Sequence, residues 1–223
     1  MIQLNLAIDD VFEHILPIIQ ETKQCTIIEI GAHDGRHSDL IRFLCRERPR
    51  YLAIEPDPRN VKVLTDAGHD FLPIAVSSES GEAPWFASSG ITPGTNGRQH
   101  TDSSSLKRPT KHLEQHPWCE FQQSGTVRTL TLDTATDLIL EESESVIDLV
   151  WADVQGAQLE VIRGGKKTLS RTRFLFIEVH PEPLYEGEPS LKTLRRELEL
   201  LTESQWVLIA QYPADVLLKR VEK

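Results

Sequence analysis

Two acids and two glycines carry the first chemical signal in this chain. Glu29, Gly31 and Gly35 lie within CTIIEIGAHDGRHS, Cys25 to Ser38, and Glu55 follows 24 residues after Gly31. Thr26 to Ile30 is apolar and β-branched apart from Glu29, and Gly31 to Gly35 is polar and glycine-bearing. That change predicts a buried strand running into a tight turn, with a helix starting near His37. A glycine turn lets the backbone approach a ligand closely, and in an open α/β sheet ligands sit beyond the carboxyl ends of the strands. Glu55 ends a second apolar run, Tyr51 to Ile54, where a carboxylate can accept both hydroxyls of a ribose. The spacing Gly31-x-x-x-Gly35 lacks the middle glycine of the dinucleotide fingerprint, so a cofactor without a phosphate to seat on a helix N-terminus fits better. An acid-x-Gly-x-x-x-Gly loop with an acid on strand two describes S-adenosylmethionine, with S-adenosylhomocysteine as the product.

Methyl transfer is an in-line displacement at a sulfonium methyl, so donor and acceptor must be held about 3 Å apart and collinear, and the acceptor proton must have somewhere to go. Asp153 closes the apolar run Val146 to Trp151 and is placed either to hold the methionine amino group, to orient the acceptor, or to cap the next helix. His180 and Glu178 end a neighbouring run. His180 is the first choice for a general base, because an imidazole pKa near 6.5 suits proton abstraction at neutral pH; the plainer reading is a histidine fixing the Pro181 turn. Asp153, Glu178 and His180 could together hold a divalent metal, a reading that is not favoured because such side chains are common at any crevice. Two further alternatives stand at this point. A nicotinamide-dependent oxidoreductase accounts for Glu55 equally well but not for the missing glycine. A non-catalytic cofactor-binding protein would keep the same fold.

The elements that must position these groups can be read from periodicity. Asp9 to Gln20 predicts an amphipathic lead-in helix, and Ser38 to Arg46 a helix stopped by Pro49. Tyr51 to Ile54 is a strand, the Glu55-Pro56-Asp57-Pro58 turn leads to a helix over Asn60 to Ala67, and Phe71 to Val76 is a third strand. This alternation indicates right-handed crossovers and a parallel sheet. From Ser88 to Gln123 periodicity disappears, and the long loop is read as a lid over the substrate, with its histidines His100, His112 and His116 solvated. Trp85 and Trp118 flank it as packing residues or as stacking faces for an acceptor. Later elements are Thr126 to Leu130, a helix from an Asp133 cap through Leu140, the Val146 to Trp151 strand, a helix over Ala157 to Leu169, and Phe174 to Val179. A Ser190-capped helix to Thr202 follows, then a terminal antiparallel pair around Pro213.

At 223 residues the chain suits a single domain spanning residues 1–223. A net charge of −10 argues against nucleic acid, whose binding needs clustered Lys and Arg, and favours a small-molecule or carbohydrate partner. Cys25, Cys45 and Cys119 form no metal or redox pair and are expected to be reduced. No signal peptide or membrane-spanning run is evident, so a cytoplasmic location without membrane partners is expected.

Taken in order, EIGAHDGRHS, AIEPDP, IAVSSESGE, Thr131-Leu132-Asp133, IDLVWADVQGAQLEVIRGG and FIEVHP resemble the FkbM-type S-adenosylmethionine-dependent methyltransferases over roughly Ile27 to Gly187. The resemblance implies a Rossmann-like class I α/β fold. Its sheet has seven mostly parallel strands with one antiparallel C-terminal strand, and helices on both faces. It implies O-methylation of a sugar, glycan or natural-product scaffold. Matched residue by residue, Glu29, Gly31, Ala32 and Gly35 form the first cofactor motif, Glu55 the ribose acid, Ala75 and Val76 the segment near the adenine, and Asp153 the acid ending the fourth strand. Ser103 to Leu106 matches a Ser-Ser-Leu feature expected to close over the cofactor. Trp151 departs from a frequent Lys, and Gln155 and Gln158 from frequent Glu.

Overall fold

The computed structural model describes residues 25–38, 50–140 and 146–221, together with His14. The helix expected over Asp9 to Gln20, and the one expected over Ser38 to Arg46 beyond its first residue, lie outside that set. The strands in chain order are β1 (Thr26–Ile30), β2 (Arg50–Ile54), β3 (Phe71–Leu72), β4 (Ala75–Val76), β5 (Gly81–Gly90), β6 (Cys119–Leu130), β7 (Ile147–Ala152), β8 (Thr172–Glu178), β9 (Gln205–Gln211) and β10 (Asp215–Val221). The helices are α1 (Pro58–Asp66), α2 (His112–Gln115), α3 (Leu132–Asp137), α4 (Gln158–Arg163), α5 (Lys166–Ser170) and α6 (Leu191–Thr202).

Seven strands form the main sheet in the order β3-β2-β1-β7-β8-β10-β9. All its pairings are parallel except those of β10, which runs antiparallel to both β8 and β9. β1 and β7 are buried along their whole length, as continuous apolar runs in the middle of a parallel sheet must be. Side chains alternate between faces, and the cores follow. Leu52 and Ile54 join Val161, Leu194 and Leu198 of α4 and α6 on one face. Ala53 points the other way, to Leu64 of α1 and Ala32. Each fully buried aliphatic side chain in this layer, such as Ile54 or Leu198, stabilises the fold by roughly 1.5–3 kcal/mol.

Several expectations are corrected. Phe71 to Val76 is two strands, because β4 leaves the main sheet to pair with β6, giving a second sheet ordered β4-β6-β5. The stretch expected to be irregular over 88–123 is strand at both ends, where β5 and β6 pair antiparallel from Gly81 with Thr129 out to Gly90 with Cys119. Alternation is weak there because most of β6 is exposed, so no apolar face marked it. Asp133 does not cap its own helix. Thr131 does, accepting from the Thr134 amide at 3.1 Å, while the Asp133 carboxylate accepts from the Lys167 and Thr168 amides at 2.9 and 2.7 Å and so caps α5. The expected helix is two, α4 and α5, meeting at Gly164 and Gly165; Gly164 has no room for a side chain, since a Cβ there would come within 2.2 Å of the Ser77 carbonyl oxygen. α1 starts two residues earlier than expected, with Asp57 as N-cap and Pro58 in the first turn.

Candidate active site at the carboxyl ends of the strands

The β1–β2 register pairs Ile30 with Ile54, which sets the glycine turn and Glu55 side by side at the carboxyl edge. The Gly31 and Ala32 amides both donate to the Ile54 carbonyl, at 2.9 and 3.0 Å. On the other side the Asp153 amide donates to Ile30. Gly31 has φ +89°, and a Cβ there would stand 2.0 Å from the Asp153 carbonyl oxygen, so β1 and β7 leave no room for a side chain. Gly35 serves packing: its φ is +84°, and a Cβ would press on Leu64 and His69. Residues 36–38 then begin a helix, as the sequence indicates.

Glu55 is 4% exposed. Its Oε2 accepts from the His33 amide at 2.8 Å, and its Oε1 from the Asp57 amide at 2.8 Å and the Asn60 carboxamide at 3.3 Å. Burial raises its pKa, and these three hydrogen bonds work against the rise. A carboxylate offers about four acceptor sites, so capacity for a hydroxyl remains. Glu29 is fully buried, its Oε2 accepting from Ser38 at 2.7 Å and from Tyr51, and its Oε1 lies 3.7 Å from His37. Ala75 packs against Trp85 and Val127, and Val76 joins the main core. Trp85 is therefore a packing residue.

A second group of acids sits beyond β7 and β8. The Gln155 carboxamide nitrogen donates to Asp153 at 2.7 Å and to Glu178 at 2.9 Å, and Tyr185 donates to its carbonyl oxygen at 2.7 Å. This arrangement fixes the amide orientation, because the opposite one would set an oxygen against two carboxylates. Gln155 itself is held at φ +49°. An NH2 donor thus stands between the two acids. Burial raises the pKa of Asp153, and burial followed by repulsion from Asp153, Asp215 and Glu188 raises that of Glu178 well above the usual range. Asp215 is pushed up to about 6 by burial and Asp153. Glu178 Oε2 is buried with no hydrogen-bond partner among the described residues.

His180 differs from the expectation for a free base. Its Nδ1 lies 2.7 Å from Glu188 and its Nε2 3.3 Å from Glu178, so both ring nitrogens are engaged by carboxylates. Glu188 in turn accepts from the Leu184 and Tyr185 amides at 2.7 and 3.1 Å. Trp151, the departure from a frequent Lys, is buried between His37 and Phe176, with ring centroids at 5.2 and 4.2 Å. Gln158 is fully buried.

The segment between β5 and β6 crosses these strand ends in turn. Ser104 donates to Asp57 at 3.0 Å, Thr101 and Asp102 meet His33, Ser105 donates to the Gln155 carbonyl at 2.5 Å, and the Thr110 amide donates to Leu184 at 2.8 Å. Its histidines are not all solvated. His100 and His112 are buried around the Ser103 hydroxyl at 2.8 and 3.0 Å, and burial depresses the His112 pKa to about 4. Trp118 contacts the His100 and His116 rings. Sequence reasoning did not single out His33, Asn60, Thr101 and Asp102, which meet one another beside Glu55. One signal was available: Asn60 is a polar residue in the first turn of α1 at the carboxyl edge, and it is buried.

Comparison with known proteins bears on this arrangement. The profile of the methyltransferase FkbM domain matches residues 29–204. The 2-O-methyltransferase NoeI of Sinorhizobium fredii is 34% identical over 206 residues, covering 88% of this chain and 79% of that protein. The crystal structure of methyltransferase FkbM from Methylobacillus flagellatus KT superposes with a TM-score of 0.53 at 13% identity, which bears on fold alone. That alignment covers 89% of this chain but 44% of the crystallised one, so the chain spans under half of that protein's length. The nicotinamide reading is not favoured by these matches. The family profile spans both the glycine turn and the acids beyond β7 and β8, and the chain belongs to the FkbM methyltransferase family.

Proposed function

We propose that this chain is an S-adenosylmethionine-dependent O-methyltransferase acting on a hydroxyl of a sugar, glycan or natural-product scaffold. The observation that carries the reading is the register that sets Gly31 and Glu55 side by side at the carboxyl ends of β1 and β2. The donor set suits the cofactor: Glu55 keeps capacity for a ribose hydroxyl, and Asp153 is a carboxylate for its cationic amino group. When bound, S-adenosylmethionine supplies an electrophilic methyl group. Gly31 and Ala32 would shape the turn that holds the cofactor, Glu29 braces that turn through Ser38 and Tyr51, and Ala75 and Val76 would stand on the adenine side.

The chain's own part in the chemistry lies at β7 and β8. The Asp153–Glu178 pair, its pKa values raised by burial and, at Glu178, also by the Asp153 charge, receives the one proton of the acceptor hydroxyl as it becomes an ether oxygen. His180 holds Glu178 in place through its Nε2 and is itself held by Glu188. The net charge of −10 supports a neutral acceptor over nucleic acid. The similarity to a 2-O-methyltransferase supports a secondary hydroxyl as the methylated position. The Gln155 amide occupies the space between the two acids, which supports a step without a divalent ion there. The reading is tested by incubating the protein with methyl-labelled S-adenosylmethionine and a panel of methyl glycosides and free saccharides. Label in an alkali-stable ether is the expected result, and label in nitrogen or carboxyl products would overturn it.

A further inference from the structure

Four groups from four parts of the chain form a closed ring of hydrogen bonds around Glu55. The His33 amide, from the glycine turn, donates to Glu55 Oε2 at 2.8 Å. The His33 ring nitrogen Nε2 meets the Thr101 hydroxyl at 2.6 Å, in the segment between β5 and β6. Thr101 donates to the Asn60 carbonyl oxygen at 3.0 Å, in the first turn of α1. The Asn60 amide nitrogen closes the ring by donating to Glu55 Oε1 at 3.3 Å. The cofactor acid and the crossing segment therefore share partners, and neither can move without the other's hydrogen bonds changing.

The ring is keyed by charge at a single point. His33 Nε2 also lies 2.8 Å from Asp102 Oδ1, and its Nδ1 lies 3.4 Å from Asp34 Oδ1. Arg98 bonds Asp102 at 3.0 Å and reaches Asp34 at 3.9 Å, and Arg36 pairs with Asp34 at 2.9 Å. The other titratable groups whose charges bear on this cluster are His37 from the turn, His100 from the crossing segment, Glu55 just past β2 and Asp153 just past β7. His33 adopts φ +51°, a left-handed conformation that is uncommon outside glycine but that histidine, like Asn and Asp, takes more readily than most residues.

We infer that His33 is a positioning residue for cofactor binding: its ring, clamped between Asp34 and Asp102, locks the crossing segment at Thr101 and Asp102 onto the Glu55 ribose site. The inference rests on the functional reading above and goes further by naming the device that holds the cofactor side closed. Burial alone would lower the His33 pKa, but its hydrogen bonds to the Asp102 and Asp34 carboxylates and their charges outweigh it and push the pKa up to about 9. A histidine released from the clamp titrates near 6.5. The lock is thus fully present below pH 6.5, weakens above it, and is lost as pH rises through about 9.

The test is S-adenosylhomocysteine affinity measured by calorimetry between pH 6 and 10 on wild type, His33→Asn and Asp102→Asn. Asparagine tolerates the positive φ and keeps the amide that Glu55 accepts, so only the charged ring is removed. Wild-type affinity is expected to fall on the order of tenfold between pH 7 and 10, following the loss of one charge interaction. His33→Asn is expected to be weakened at pH 7 and to lose that fall. Asp102→Asn is expected to shift it to lower pH. Trypsin gives a second readout at Arg98 and Lys107: at the same pH, His33→Asn should be cleaved there faster than wild type. Wild-type binding with His33→Asn equal in affinity, pH dependence and cleavage overturns this inference alone. A wild type that binds no S-adenosylhomocysteine at any pH overturns the functional reading and this one with it.

Discussion

The two halves of the crevice treat buried carboxylates in opposite ways. On the β1–β2 side, Glu55 is surrounded by three donors from its own chain, and the neighbouring glycine turn is pinned on both flanks. On the β7–β8 side, Asp153 and Glu178 share one amide nitrogen, face Asp215 and Glu188, and leave Glu178 Oε2 buried without a partner among the described residues. The first half is satisfied before any ligand arrives, which suits a binding site that must hold one cofactor in one pose. The second is unsatisfied, and such sites are where a fold sets stability aside for chemistry. A carboxylate whose pKa is raised by a like neighbour can take a proton that an ordinary one would not hold.

The comparison can be broken at either side. The largest effect is expected from Gly31→Arg. A Cβ at that position already meets the Asp153 carbonyl at 2.0 Å, so the variant should lose S-adenosylhomocysteine binding by more than about 100-fold, as isothermal titration would show. Next comes Glu178→Gln, which keeps the bond from Gln155 but removes the charge. Its affinity for S-adenosylhomocysteine should stay within about threefold of wild type, while methyl transfer falls about 100-fold. Equal losses in both would mean that the two halves are not separable.

Glu178→Gln also carries a stability prediction with a definite sign. A buried acid with a raised pKa binds more protons in the native state than unfolded, so it makes stability decline as pH rises from its ordinary pKa to its raised one. Removing the charge should lift the unfolding midpoint at pH 8 by a few degrees, about what 1 kcal/mol gives in a chain of this size. For the same reason wild-type methyl transfer should rise with pH as the pair ionises. The smallest effect is expected from Tyr185→Phe. It deletes the hydroxyl that donates to Gln155 and to the Ser103 carbonyl, and should cost about 1 kcal/mol by chemical denaturation.

The same division explains what could be read from the sequence. β1, β2, β7 and β8 are largely apolar runs, the last three with an acid at or just past their ends, so the parallel sheet and the places of Glu55, Asp153 and Glu178 followed from pattern. The terminal antiparallel pair around Pro213 also followed, with β10 inserted between β8 and β9. The crossing segment was not legible, because it is held by hydrogen bonds from Thr101, Ser104 and Ser105 to distant partners, and such bonds leave no period in a sequence. The engagement of His180 by Glu188 was hidden for a similar reason. The two residues are eight apart across a turn, and nothing in their spacing announces a contact.

The most direct test of the account is titration of S-adenosylhomocysteine into wild type and Glu55→Ala side by side at pH 7. The account predicts saturable one-to-one binding by wild type, weakened at least about tenfold in Glu55→Ala as the ribose acid is lost. Absence of binding by the wild type, or equal affinity in the two proteins, would contradict it.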